Sequence, residues 1–464
     1  MKPGEQSAAA VRETLRSRVL ERLAVLDAEQ PAAPVCPDFF EQVRNLTLIC
    51  SSSRGGSSVF TEFLRRSRRM LHFRGEVNAF LVLQRLGWPD SGTGSDQLTA
   101  DQVPTGDRRL LLERLLAEDC GTPTTRLDTT ERRQRFCRDL CIRLLLQWPH
   151  VEIPHTSVSR ALENALAELV THHGWAEGHF GDAQLFHAVF LRELRRDHPE
   201  VNPHFYDISP ALISMFCPHA PVPSGAPGPW ILEEPPFVTV CPWEPATRDQ
   251  ARTLPLVVKT PSNAYRLPFF EALVPQAQLN VLHLTRNAAA SVNGLVDGWR
   301  YATGFFSHRA PSHLALDGYS RPGLDWSTCW WNYDLPPGWL DLLDTPLVDV
   351  CARQWLSAHR FTLEYLRSRD PGSPPPLRIS FEDLLDPHTA RGTLDQVLGW
   401  LGIELEPSLA TRLVGDMPPI MSTHKPRHQR WFRNAEQLER VWKNPEVATI
   451  MRELGYGPDP TTWR

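Results

Sequence analysis

The stretch Asn45–Ser58, NLTLICSSSRGGSS, constrains the fold of this chain more than any other. Leu46, Leu48 and Ile49 form a short apolar run that gives way to small polar residues and two glycines. Val59, Phe60, Phe63 and Leu64 then recur at helical spacing. The pattern predicts strand, tight loop and helix. A Gly- and Ser-rich loop opening a helix turns backbone N–H groups and the positive end of the helix dipole toward one spot, which suits a phosphate. Arg54 adds a fixed positive charge, and Ser57 and Ser58 add hydroxyls. An ordinary strand-to-helix turn could carry the same residues, so the rest of the chain decides what the loop is for.

Three more apolar runs end in polar residues of the same kind. Met70 to Phe73 leads into Arg74-Gly75-Glu76, Leu254 to Val258 into Lys259-Thr260-Pro261, and Leu279 to Leu284 into Thr285-Arg286-Asn287. Helical spacing follows at Tyr265–Leu273 and 288–300, then at Cys351–Leu366 and Thr393–Leu401, with a last strand at Leu377–Ser380. Strands alternating with helices imply right-handed crossovers and a central parallel sheet, whose carboxyl edge is where ligands bind in open α/β folds. The predicted fold class is therefore α/β, a P-loop-like three-layer fold with a large mainly helical insertion.

The insertion is expected over 85–250, where leucines and phenylalanines recur at helical spacing before a Pro-rich connection, Pro218 to Pro245. The α/β core then occupies 41–84 and 251–464, with 85–250 covering an acceptor site. Residues 1–40 supply an amphipathic helix, carrying Val11, Leu15, Val19, Leu20, Leu23 and Leu26, and a linker. That helix packs either on the body of the chain or on a second subunit, which leaves a homodimer open. The aromatic stretch from Trp299 to Trp339 serves either core packing or an acceptor pocket.

A net charge of −5 gives no reason to expect nucleic acid, and no segment approaches the ~18 apolar residues of a membrane span. Nearly all cationic residues are arginine; the lysines are Lys2, Lys259, Lys425 and Lys443. Nine scattered cysteines without a CxxC pair point to a reduced, cytoplasmic setting. Cys137 and Cys141 share a helical face, but no second ligand pair lies at zinc spacing, so they read as buried thiols. His172, His173, His179 and His187 likewise lack a metal-binding pattern such as HExxH, and no metal is expected. The arginine- and proline-rich composition hints at a GC-rich bacterial genome, and secondary metabolism is a fitting context.

In order and strand context, these motifs resemble those of the sulfotransferases that use 3′-phosphoadenosine 5′-phosphosulfate (PAPS). The resemblance covers roughly 46–80 and 254–445. It implies that Arg54, Gly55, Gly56, Ser57 and Ser58 hold the 5′-phosphosulfate and that Arg286 meets the 3′-phosphate. A serine eight residues after that arginine is usual in the family. Here Gly294 holds that position and Ser291 precedes it, so either Ser291 or a backbone amide completes the site. Lys425 and Arg427 resemble the basic tail that closes over the 3′-phosphate, and Phe381-Glu382-Asp383 resembles a Tyr-Glu-Asp stretch near the adenine. Pro261 stands where cytosolic members carry a histidine base, whereas Glu76 matches the Gly-Glu motif of the tyrosylprotein-type branch.

The resemblance therefore implies Glu76 as general base and Lys259, aided by Arg54, as the cation at the leaving oxygen. PAPS would be the co-substrate, the desulfated nucleotide PAP the product, and a small-molecule or carrier-bound hydroxyl or amine the acceptor. A P-loop kinase or ATPase is the first alternative, but the Walker Gly-Lys-Ser/Thr is missing from the loop. A non-catalytic nucleotide-binding scaffold on the same fold is the second.

Overall fold

The computed structural model describes residues 3–30, 38–310, 313–424 and 429–463. At its centre is a seven-stranded sheet. In chain order the strands are β1 (Asn45–Cys50), β2 (Leu71–Phe73), β3 (Cys120–Pro123), β4 (Trp243–Pro245), β5 (Leu256–Lys259), β6 (Gln278–Thr285) and, after a separate hairpin, β9 (Leu377–Ser380). Their spatial order is β4-β3-β2-β5-β1-β6-β9, and β2, β5, β1, β6 and β9 run parallel. β1 lies between β5 and β6 and is buried along nearly its whole length, as a strand covered on both faces must be. The separate hairpin pairs β7 (Phe306–Arg309) with β8 (Trp330–Asn332).

The fold is mixed α/β with a mostly parallel sheet. Its two antiparallel strands lie inside the stretch whose spacing predicts a mainly helical insertion. β3 pairs with β2, and β4 with β3. Gly121 makes this approach feasible, because a Cβ there would sit 2.1 Å from the Glu244 carbonyl oxygen. The helices of the stretch, among them Thr130–Gln147 and His155–His173, share one apolar core with the sheet and the N-terminal helix Pro3–Glu29. Leu15, Val19, Leu23 and Leu26 of that first helix are buried against the chain itself.

A second core explains most of the aromatic stretch. Trp299, Trp331 and Trp339 are almost completely buried among the helices Ala288–Trp299, Leu347–Ser368, Ala435–Trp442 and Pro445–Glu453. They stack edge to face, Trp299 on Trp331 at 5.2 Å and Trp331 on Trp339 at 5.2 Å, a geometry favoured by the ring quadrupoles. From this core Asp334 reaches back to the glycine loop. The Ser53 and Tyr265 hydroxyls donate to its two oxygens at 2.5 and 2.7 Å, and burial pushes its pKa up to about 6. The tryptophans are therefore packing, and their consequence at the sheet edge is a braced loop.

Candidate functional site

Because β1, β2, β5 and β6 are parallel, the residues that follow them converge on one edge of the sheet. After β1 the chain turns through Arg54 (φ 61°) and Gly56 (φ 92°) into the helix Ser57–Arg65. Glycine is required at position 56 on two counts: the positive φ, and the Phe381 ring, which a Cβ would meet at 2.3 Å. The first-turn N–H groups of that helix have no partner within the helix and open onto a cavity of about 730 Å³. Ser53, Arg54, Gly56, Ser57, Ser58, Glu76, Lys259, Arg286, Gly294 and Phe381 all line it.

The decisive geometry is centred on Lys259, the last residue of β5. Its Nζ lies 2.5 Å from Glu76 Oε1 and donates to Ser58 Oγ at 3.1 Å. The lysine side chain is only 5% exposed, whereas Glu76 keeps 28% and faces the cavity. A cation and a carboxylate thus meet at the mouth of the glycine loop. The Walker position lacks a lysine, and this one arrives from the neighbouring strand instead.

Arg54 and Arg286 are both engaged. Arg54 donates to the Met421 carbonyl at 2.6 Å and lies over the Phe305 ring at 5.3 Å. Arg286 donates to the Arg54 carbonyl at 2.9 Å and covers the Phe381 ring at 5.3 Å. Burial lowers the Arg286 pKa from its ordinary value, and the nearby Glu382 carboxylate opposes that fall. Glu382 itself accepts from the Asn287 backbone and side chain at 3.0 and 2.7 Å and from the Tyr456 hydroxyl at 3.0 Å.

The remaining sequence candidates fall into three groups. Gly55 is buried beneath the loop with its N–H on the Ser52 carbonyl. Ser291 is fully buried on Ala288–Trp299 and does not line the cavity; its hydroxyl has no hydrogen-bond partner. Lys425 and Arg427 lie outside the described residues. The preceding segment, Met417 to His424, forms one cavity wall, with the Met421 N–H directed at the Asp207 carboxylate at 3.1 and 3.2 Å. Burial pushes the pKa of Asp207 up to about 6.

No protein-family model matches the chain, and no curated protein matches it. Among solved structures, it aligns with a sulfotransferase domain from the curacin biosynthetic pathway. The alignment covers 89% of this chain and 99% of that one, at 11% identity and a TM-score of 0.36. A likeness that loose carries no argument, and the functional reading rests on the geometry of this chain.

Two features of that geometry escape the sequence patterns. The first is Glu234, a cavity-lining carboxyl from the Pro-rich connection. Burial pushes its pKa up to about 7; Glu76 adds to the rise, and His308 opposes it. Burial alone would lower the His308 pKa, but Asp96 at 3.5 Å outweighs it and holds the imidazole above its ordinary value. A flanking Pro235-Pro236 pair made Glu234 look like loop sequence, and no motif spacing marks it.

The second is the brace behind both acids. Arg143 pairs with Asp119 at 2.5 Å and with Glu233 at 3.3 Å. Its guanidinium also packs so closely on Gly75 that a Cβ there would lie 2.4 Å from it. One buried arginine therefore fixes the segment carrying Glu76 against the segment carrying Glu234. Removing one partner of such a buried pair would leave an uncompensated charge inside the protein, which makes the brace costly to break.

Proposed function

We propose that this chain transfers a sulfuryl group from PAPS to an acceptor hydroxyl or amine by in-line displacement. The observation that carries the reading is Lys259, held between Ser58 at the helix start and Glu76 on the acceptor side. In this reading the loop amides, Ser57, Ser58 and Arg54 hold the 5′-phosphosulfate. Arg286, with Gly294 beside Arg54, faces the rest of the nucleotide. Glu76 takes the acceptor's proton as its oxygen or nitrogen forms the new bond to sulfur. The bond from sulfur to the bridging phosphate oxygen breaks, and its electron pair stays with the departing PAP. Negative charge grows on that oxygen, so Lys259 binds more strongly in the transition state than in the ground state. A bacterial natural product, free or carrier-bound, is the acceptor class we favour, since Phe305, Tyr333 and the prolines at 235–236 give the cavity apolar walls.

Calorimetry tests the nucleotide directly. PAP is expected to bind with micromolar affinity without added magnesium, and Mg-ATP at least about tenfold more weakly. The reverse preference would move the chain to the kinase and ATPase reading. Mass spectrometry of cell extracts incubated with PAPS then reads the acceptor as a gain of one SO₃. Failure across a broad acceptor screen, with PAP still bound, would favour the scaffold.

Glu234 gives the reaction a pH dependence of known sign. Below its pKa of about 7 it is neutral; above it, ionised Glu234 sets a second negative charge near Glu76, which draws the acceptor's proton toward that edge of the cavity. The rate of transfer should therefore rise with pH through about 7. Glu234→Gln is expected to flatten the profile between about pH 6 and 8 while leaving kcat within about tenfold. Folding linkage runs the other way: a carboxyl whose folded pKa is raised loses stability as pH rises from its unfolded value of about 4.5 to about 7. Glu234→Gln should accordingly melt higher than the parent chain at pH 8. A rising limb that survives in the variant assigns the titration to another group.

A further inference from the structure

Outside the cavity, three soft ligands that the sequence leaves apart come together on the insertion. Cys137 and Cys141 are one turn apart on Thr130–Gln147, and His155 opens the next helix, His155–His173. Their ligand atoms, the two Sγ atoms and an imidazole nitrogen, all lie within 4.8 Å of one another. The Cys137 Sγ to His155 Nε2 separation is 3.5 Å. That equals the edge of a tetrahedron about a zinc ion with Zn–S of about 2.3 Å and Zn–N of about 2.0 Å, which works out at roughly 3.5 Å. A thiol–imidazole hydrogen bond would account for one such contact. Cys141, one turn along the same helix and hydrogen-bonded to Cys137, brings a second thiol to the same point.

We propose that Cys137, Cys141 and His155 bind a zinc ion. The donor set selects the metal: two thiolates and an imidazole suit Zn²⁺, whereas Mg²⁺ and Ca²⁺ require oxygen. The thiols are buried at 3% and 6% exposure, but His155 is half-buried, which gives the ion an entry path from solvent. Three protein ligands leave one tetrahedral position, which a water fills. The described cysteines are all free thiols, so the pair is available to a metal.

The site ties two helices, and the first of them carries Arg143, the residue that braces Gly75 and Glu233. The metal is structural and lies apart from the cavity lining. His172, His173, His179 and His187 form no such cluster among the described residues, and His187 instead directs Nε2 at the Val240 carbonyl at 2.9 Å.

Chain purified without chelator from zinc-supplemented cells is expected to hold about one zinc per molecule by elemental analysis. His155→Ala and Cys141→Ser should each lose most of it. Chelator should lower the Tm of the parent chain and leave that of His155→Ala unmoved. Should a cysteine variant fail to fold, Co²⁺ added to the metal-free parent chain gives an independent readout, thiolate-to-cobalt charge-transfer absorption in the near ultraviolet. A parent chain with no zinc and no charge-transfer band would overturn the proposal. So would zinc fully retained in His155→Ala, because the metal would then sit elsewhere.

Discussion

Lys259→Ala should lower kcat for sulfuryl transfer by about two or more decades while the chain still binds PAP, with a smaller loss in affinity than in rate. The asymmetry follows from what the lysine touches. Its ammonium is nearly buried between Ser58 and Glu76, at the point where the leaving oxygen gains charge in the proposed reaction. PAP keeps the oxygen on which that charge settles, so it too loses affinity without the lysine, but the loop amides, Arg54 and Arg286 still hold its phosphates. A binding scaffold would show the opposite pattern, with nucleotide affinity as the only measurable property. The variant should fold, because the partner left behind, Glu76, is 28% exposed and can be solvated. Lys259→Arg is an informative companion: it keeps the charge but spreads it over a planar fork in place of the compact ammonium that meets Ser58 and Glu76. It should recover only part of the rate. Activity close to that of the parent in Lys259→Ala would remove the lysine from the chemistry.

What could be read from the sequence was the sheet edge. Leu46–Ile49, Met70–Phe73, Leu254–Val258 and Leu279–Leu284 are mostly apolar, broken only by Thr47, His72, Pro255, Asn280 and His283, because parallel strands are covered on both faces, and each leads into a polar residue the cavity uses. β3 and β4 could not be read the same way. Cys120-Gly121-Thr122-Pro123 carries the residues of a turn, and its pairing rests on a glycine that lets another backbone approach. Glu234 and His155 illustrate a further limit. Glu234 gains its meaning from Glu76, far along the chain, and His155 from Cys137 on the preceding helix; only folding brings each pair together. The aromatic stretch left core packing and an acceptor pocket as equal readings, and nothing in its sequence chose between them. Its contribution to the cavity reduces to Phe305 and Tyr333 from the body of the stretch, and its deeper effect runs through Asp334 to Ser53.

Arg54 suggests how the cavity responds to a ligand. In the free chain its guanidinium is satisfied by the Met421 carbonyl and the Phe305 face, and Met421 is held in turn by Asp207. A phosphosulfate would compete for the same guanidinium with full negative charge, against a neutral carbonyl. Charge-assisted hydrogen bonds are about twice as strong as neutral ones, so the exchange favours the ligand. In the proposed reaction, the wall formed by Met417–His424 would thus be coupled to nucleotide binding through one side chain.

Glu76→Gln should cost about two or more decades in kcat, with the KM for PAPS close to that of the parent chain. The substitution is nearly isosteric, and the amide oxygen can still accept from Lys259 Nζ, so the hydrogen bond seen at 2.5 Å has a neutral replacement. What disappears is the capacity to take a proton. Glu234, another acid on the cavity, is a candidate to compensate, because the Arg143 brace holds its segment against that of Glu76. The double variant Glu76→Gln/Glu234→Gln separates the two roles. If Glu234 substitutes for the missing base, the double variant falls well below Glu76→Gln alone, and the residual activity of the single variant rises with pH through about 7. If Glu234 acts only through Glu76, the double and single variants coincide and the residual rate is flat. Parent-like turnover in Glu76→Gln would remove the carboxylate from proton transfer altogether and leave the cations, Lys259 with Arg54, to carry the proposed chemistry.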